Sequence, residues 1–170
     1  FGDAYRSFVC ALAEQLSLVL SQLESLHKRT QSENERKNLL LQAPIATALL
    51  TGPEHVYQIA NPLYCQLVRR TEQQLLGNAY RQIFPELANT PLLAILDRVY
   101  QQGEPFVSNE FLLPFPRGSD GVLEDCFFKF NLEPLRDGNG DVYGMMAVAV
   151  DITEQVRARR ILEKAHDERA

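Results

Sequence analysis

The sequence predicts an α+β fold, on three observations. Residues 3–42 contain no Pro or Gly and carry a helical apolar repeat. Residues 45–153 alternate short β-prone runs with helical stretches that have recognisable starts and stops. The last β-prone run, "VYGMMAVAVDI", is apolar on both alternating faces, the pattern of a strand covered on both sides. With 170 residues, 45% hydrophobic and 23% charged, the chain can bury one domain core and still carry extra structure.

The first element is the long helix. Val9, Leu12, Leu16, Val19, Leu23 and Leu26 recur at alternating spacings of three and four, which is a heptad seam. The same register turns polar at Thr30, Glu33 and Lys37. A straight helix of about forty residues would be ~60 Å long, longer than one small domain. Such a helix either packs on its own domain and projects into solvent, or pairs across a homodimer as a coiled coil or bundle. The seam favours the second. Pro44 ends the helix, because the residue before a Pro is driven out of the helical region.

Two short strands follow, "IATALLTG" and "HVYQIAN", joined by the turn "GPE". Asn61-Pro62 opens a helix, with Asn61 as cap and Pro62 in the first turn. Leu63, Leu67, Val68, Leu75 and Leu76 give it apolar contacts up to the break at Gly77. "AYRQIFPEL" reads as a short turn or helix. "TPLLAILDRVYQQG" is a helix with Thr90 at its cap, Pro91 at its first position and Gly103 at its end. Three strands come next: "PFVSNEFLLPF", "LEDCFFKFNLEPL" and "VYGMMAVAVDI". Gly138, Asn139 and Gly140 supply residues that tolerate positive φ in the last hairpin. Something must cover the outer face of this sheet, and the N-terminal helix or a second subunit is available. The chain ends in a charged helix-prone segment, 154–170.

This order resembles a PAS domain. The residues that carry the likeness are "ANP" at 60–62, "LLG" at 75–77, "VYQQGEPF" at 99–106, "PLRDGNGDVYG" at 134–144 and "DIT" at 151–153. The resemblance implies a five-stranded antiparallel sheet of order 2-1-5-4-3, cupped over short helices on one face. It divides the chain into a signalling helix (1–42), the PAS domain (43–153) and an output linker helix (154–170). "DAYRSFVCALAEQLSLVLSQLESLHKR" in turn resembles the last helix of a GAF domain. Together these imply a piece of a bacterial multidomain signalling protein, a sensor histidine kinase of a two-component system, whose kinase part lies elsewhere. The opening Phe1-Gly2-Asp3, with neither an initiator Met nor a signal-peptide pattern, agrees with a piece of a longer protein.

The strand-to-helix junction is the first candidate site. Asp151 and Glu154 have capping-box spacing with Asp in place of Ser or Thr, and Thr153 is an alternative cap. An ordinary cap contributes ~1 kcal/mol. The resemblance adds a signal-coupling role for Asp151, Thr153 and Glu154. In the helix that follows, Arg159 with Glu163 and Lys164 with Glu168 form i,i+4 pairs. Ala158, Ile161, Leu162 and Ala165 form a thin stripe that calls for a partner.

The second candidate site is a ligand pocket between sheet and helices, lined by Tyr64, Phe84, Leu96, Tyr100, Phe128, Phe130 and Met146. A filled core is the plainer expectation for the same residues.

Little else carries chemistry. His27, His55 and His166 lack a second His or Cys at ligand spacing, so no metal is expected. His166 in "EKAHDERA" and His27 in "ESLHKRTQ" lack the rest of a phosphoacceptor motif. The helix that carries a haem-ligating His in PAS sensors has none here. Cys65, in "NPLYCQLV", does not match the reactive-Cys motif of LOV flavin receptors. No cofactor is expected. Neither a phosphate-binding loop nor a nucleophile elbow occurs, so this fragment reads as non-enzymatic. Three unpatterned cysteines point to a reducing, cytoplasmic setting. The net charge of -5 argues against nucleic acid, and no apolar run reaches the ~20 residues of a membrane span. The expected partners are a second copy, through the N-terminal helix, and adjacent domains of the same chain. Two functions remain: a sensory relay acting through its flanking helices, or a small-molecule receptor.

Overall fold

The computed structural model describes residues 2–26 and 31–169. Its centre is one antiparallel sheet of β1 (Ala46–Thr51), β2 (Val56–Ala60), β3 (Phe106–Pro116), β4 (Leu123–Arg136) and β5 (Val142–Asp151), in the order β2-β1-β5-β4-β3. This is the expected order. Between β2 and β3 the chain forms α3 (Pro62–Val68), α4 (Glu72–Leu75), α5 (Tyr80–Ile83), a 3-10 turn (Pro85–Leu87) and α6 (Pro91–Gln102). α1 (Gly2–Leu26) and α2 (Gln31–Leu41) precede the sheet, and α7 (Thr153–Asp167) follows it.

β5 sits in the middle of the sheet and separates two cores. Met145 and Ala147 face the main core, with Leu50, Tyr57, Phe84, Leu96 and Phe128. Met146 and Val148 face the other way, into a cluster with Val9, Leu20, Leu40, Leu49 and Leu135. Both methionines are 0% exposed. Burying each is worth ~1.5–3 kcal/mol, which is why both faces of this strand are apolar. The chain's own N-terminal helices cover the outer face. Close approach also fixes Gly144 of "VYG": a Cβ there would collide with the Leu50 carbonyl oxygen of β1.

The long N-terminal helix is α1, 25 residues and so ~37 Å in length. It does not run on as a straight forty-residue rod. Such a rod would separate Val9 from Leu40 by ~46 Å, yet both side chains belong to the same apolar cluster on the sheet. The face of α1 turned to the sheet carries Val9, Ala13 and Leu20, all buried, with Leu16 packed against them. Of the other seam residues, Leu12 is half-buried and Val19 is 39% exposed. Thr30, His27 and the side chains of Leu23, Leu26 and Glu33 lie outside the described residues.

Asn61 explains "ANP". Its fully buried side chain accepts from Tyr64 N at 2.9 Å, capping α3, and from Thr47 N of β1 at 3.0 Å. It donates to the carbonyls of Ile45 at 2.7 Å and Ala43 at 3.3 Å. One amide thus joins two strands to the first crossover helix. The helix expected to continue past Leu75 is instead split. Arg69 caps α3 in the left-handed region (φ 55), and Thr71 and Gln74 form a capping box that starts α4. α6 ends as expected, with Gly103 at φ 66. Thr90, however, donates to Leu87 O at 2.7 Å and makes no cap.

Candidate functional site

A single residue, Ile152, separates the end of β5 from the start of α7. The backbone there is held by Ile152 N donating to Phe127 O of β4 at 2.9 Å. Asp151 Oδ1 accepts from Thr153 N at 2.9 Å and from Thr153 Oγ1 at 2.6 Å. Thr153 Oγ1, fully buried, accepts in turn from Phe127 N at 3.0 Å. The other Asp151 oxygen pairs with Arg117, just past the end of β3. Arg117 also reaches Glu154 at 3.5 Å.

This corrects the expected capping box. No side chain caps α7. Asp151 bonds the amide two residues on, and the Thr153 hydroxyl is used on β4. Glu154 is largely exposed and pairs with Arg117 and Arg157. Partial burial alone would push the Asp151 carboxyl up. The two Thr153 hydrogen bonds and the Arg117 guanidinium outweigh it and hold the carboxyl below its usual value.

The first turns of α7 are clamped to the outer edge of the sheet. Arg159 holds Glu110 of β3 at 2.8 Å, closer than its expected partner Glu163 at 3.6 Å. Arg160 lies over the Phe127 ring at 4.6 Å, and Val156 is buried. Beyond these contacts the stripe is bare, with Ile161 68% and Leu162 71% exposed.

The second site is a cavity of about 80 Å³ between the sheet and the crossover helices. Of the expected lining residues, Tyr64, Phe84, Leu96, Phe128 and Phe130 are present. Met146 is not, because the pleat turns it to the outer core. Tyr100 is not, because it packs edge-on against His55 at 6.1 Å. Tyr57 and Tyr80 also line it, among further apolar side chains such as Leu50, Leu113 and Phe115, and were missed by the sequence reading. Tyr57 and Tyr64 share a hydroxyl hydrogen bond of 2.8 Å, and burial pushes Tyr64 up to about 12. Tyr80 is 4% exposed, and its hydroxyl has no hydrogen-bond partner among the described residues.

His55 is buried, with Nε2 2.6 Å from Asp97 Oδ1 on α6. His166 is exposed. Cys65 is half-buried, and burial raises its thiol. Among the described residues, no group of three or more His, Cys, Asp or Glu side chains is placed to hold a metal ion, and no helix is long and apolar enough to cross a membrane.

Comparison with solved structures finds the same architecture. An RNA-binding Light-Oxygen-Voltage receptor matches with a TM-score of 0.61 at 20% identity, over 81% of this chain and 37% of that one. The PAS domain of Bordetella pertussis BvgS matches with a TM-score of 0.58 at 17% identity, over 82% and 99%. VqmA bound to DPO matches with a TM-score of 0.53 at 20% identity, over 69% and 57%. This chain thus spans just over a third of the first of these proteins. At such identities the likeness is one of fold. The family described as "PAS fold" matches residues 40–157, a span that takes in the whole sheet, the cavity and the Asp151 junction, and on that match the chain belongs to the PAS-fold family.

Proposed function

We propose that this PAS domain is a non-catalytic relay between an upstream sensor and a downstream effector. One observation carries the reading: the central strand and the exit helix share a partly buried hydrogen-bond network, Asp151–Thr153–Phe127, which Arg117 closes from just past the end of β3. A shift of β5 against β4 must break these bonds or move α7. The input is α1, docked on the outer face of the sheet in one apolar cluster with Met146 and Val148 of β5. The output is α7, whose Ile161 and Leu162 await a partner. In this reading residues 1–42 receive the signal, 43–153 hold the state and 154–170 pass it on. The effector is a histidine kinase of a bacterial two-component system, in the cytoplasm, with a GAF domain upstream. The working unit is a homodimer, paired through the part of α1 that the sheet leaves uncovered, where Phe8 and Val19 are exposed. A native mass spectrum tests the pairing: twice the chain mass with nothing added supports it, and a bare monomer contradicts it.

A second reading rests on Tyr80. A buried hydroxyl without a partner costs ~1–3 kcal/mol, and here it belongs to the wall of a cavity. A small, mostly apolar ligand with one polar group would satisfy it, as VqmA is bound to DPO. A cavity of about 80 Å³ is well below the ~300–1,000 Å³ of drug-sized sites. An extra mass per subunit in the same spectrum would favour this reading.

A further inference from the structure

On the opposite side of the Asp151 network lies an open cleft of about 620 Å³, between the α3–α4 corner, the 3-10 turn and the β3–β4 loop. Its charged lining is Arg69, Arg70, Arg117 and Glu86. Three guanidinium groups face one carboxylate, in a chain whose net charge is -5. Asp151 and Glu154 pair with Arg117 from outside this lining, so the groups the cleft itself turns to an anion are the guanidinium forks, above all that of Arg69.

The three arginines are not equivalent. Arg70 is half-buried, lies over the Phe84 ring at 5.3 Å and reaches Glu86 at 3.5 Å. Arg117 is half-buried and holds Asp151. Both are oriented before any ligand arrives, so little side-chain freedom is lost on binding. Arg69 is exposed and makes no ion pair among the described residues. Its backbone is fixed by the helix cap, with its N–H on the Cys65 carbonyl. Two arginines therefore have carboxylate partners and the third is free to close on a ligand. Guanidinium forks match phosphate oxygens in pairs of parallel hydrogen bonds. The cleft's volume also lies within the ~300–1,000 Å³ of small-molecule sites.

We propose that this cleft binds a phosphate-bearing small molecule between Arg69, Arg70 and Arg117. Bound phosphate competes with Asp151 for Arg117. The site is therefore linked to the α7 junction, and the ligand acts on the output helix without entering the core. This goes beyond the relay reading, because an anion site can exist whether or not α7 signals.

The test titrates the whole chain with inorganic pyrophosphate at constant ionic strength, following arginine Nε–Hε and backbone amide resonances. The expected result is saturable binding with Kd below ~1 mM, moving the Arg69, Arg70 and Arg117 signals together with the Thr153 amide. Arg69→Asn, which tolerates the left-handed backbone, should weaken binding about tenfold or more. Arg98→Gln, on α6, should not change it. Vesicles of phosphatidylcholine with phosphatidic acid distinguish the sources: pyrophosphate-competed binding would identify a lipid headgroup, and no binding a free phosphate compound. Shifts that do not saturate, or equal affinity in Arg69→Asn, would overturn the site. Saturable binding that leaves Arg117 and Thr153 unmoved would overturn its link to the junction.

Discussion

At the scale of single residues, three polar groups, Asn61 and Tyr80 buried and Asp151 partly so, carry distinct tests. Asn61 makes four hydrogen bonds from one side chain. Asn61→Ala leaves unpaired donors on β1 and α3 and unpaired acceptors at Ala43 and Ile45 just before β1, so a loss of ~3 kcal/mol is expected in chemical denaturation. Tyr80 is the reverse case. With its hydroxyl unpartnered, Tyr80→Phe should leave the ligand-free protein as stable or more stable by ~1 kcal/mol. A loss of stability would mean that the hydroxyl is satisfied in solution. Asp151 carries a pH signature. Its folded carboxyl titrates below the unfolded value, so its contribution is complete above the unfolded value of ~3.9 and is lost as pH falls through the lower folded one. The stability difference between wild type and Asp151→Asn should therefore be flat from about pH 7 to 5 and shrink below about pH 4. A difference that grows on acidification would contradict the pairing with Arg117.

At the scale of elements, the docking of α1 is the main structural result. The helix buries Val9, Ala13 and Leu20 on the outer face of the sheet, although its heptad also matched pairing with a twin. Periodicity identifies an apolar stripe but not what it packs on, and β5 offered a second apolar face that needed cover. Ala13 is buried, so Ala13→Asp places an unpaired carboxylate against the sheet at a cost of several kcal/mol. Amide exchange across 2–26 should then accelerate while α6 keeps its protection. Equal loss in both would show that α1 is integral to the main core. Strands, turns and α6 were legible because each has local punctuation, such as Gly103 at a helix end or the Gly-Asn-Gly hairpin. The split of α3 from α4 was also written locally, in the Thr71–Gln74 box, and was overlooked beside the more prominent Leu75 and Gly77.

At the scale of the whole molecule, the parts that were not legible join distant positions. Arg117 and Asp151 are 34 residues apart, and no periodicity links them. Tyr80 is held beside the cavity where the fold bridges Ala79 to Val56 and Tyr80 N donates to His55 O. The pleat turned Met145 to the main core and Met146 to the outer cluster, a choice that a strand apolar on both faces does not announce. The strand order followed from the family resemblance, and the coupling role given to Asp151 has the same origin. The structure places the cavity wall, β4, Asp151 and α7 in contiguous contact, the route that the proposed relay would use. Phe128 stands opposite Asp151 in the β4–β5 register and lines the cavity on the inner face. The central claim is that the state of the core reaches α7 through Asp151. Amide exchange of α7 in four proteins tests it most directly: wild type, Phe128→Leu, Asp151→Asn and the double variant. The relay predicts that Phe128→Leu changes protection in α7, and that this change disappears in the Asp151→Asn background. An unchanged α7, or the same response to Phe128→Leu with and without the Asp151 carboxylate, would contradict it.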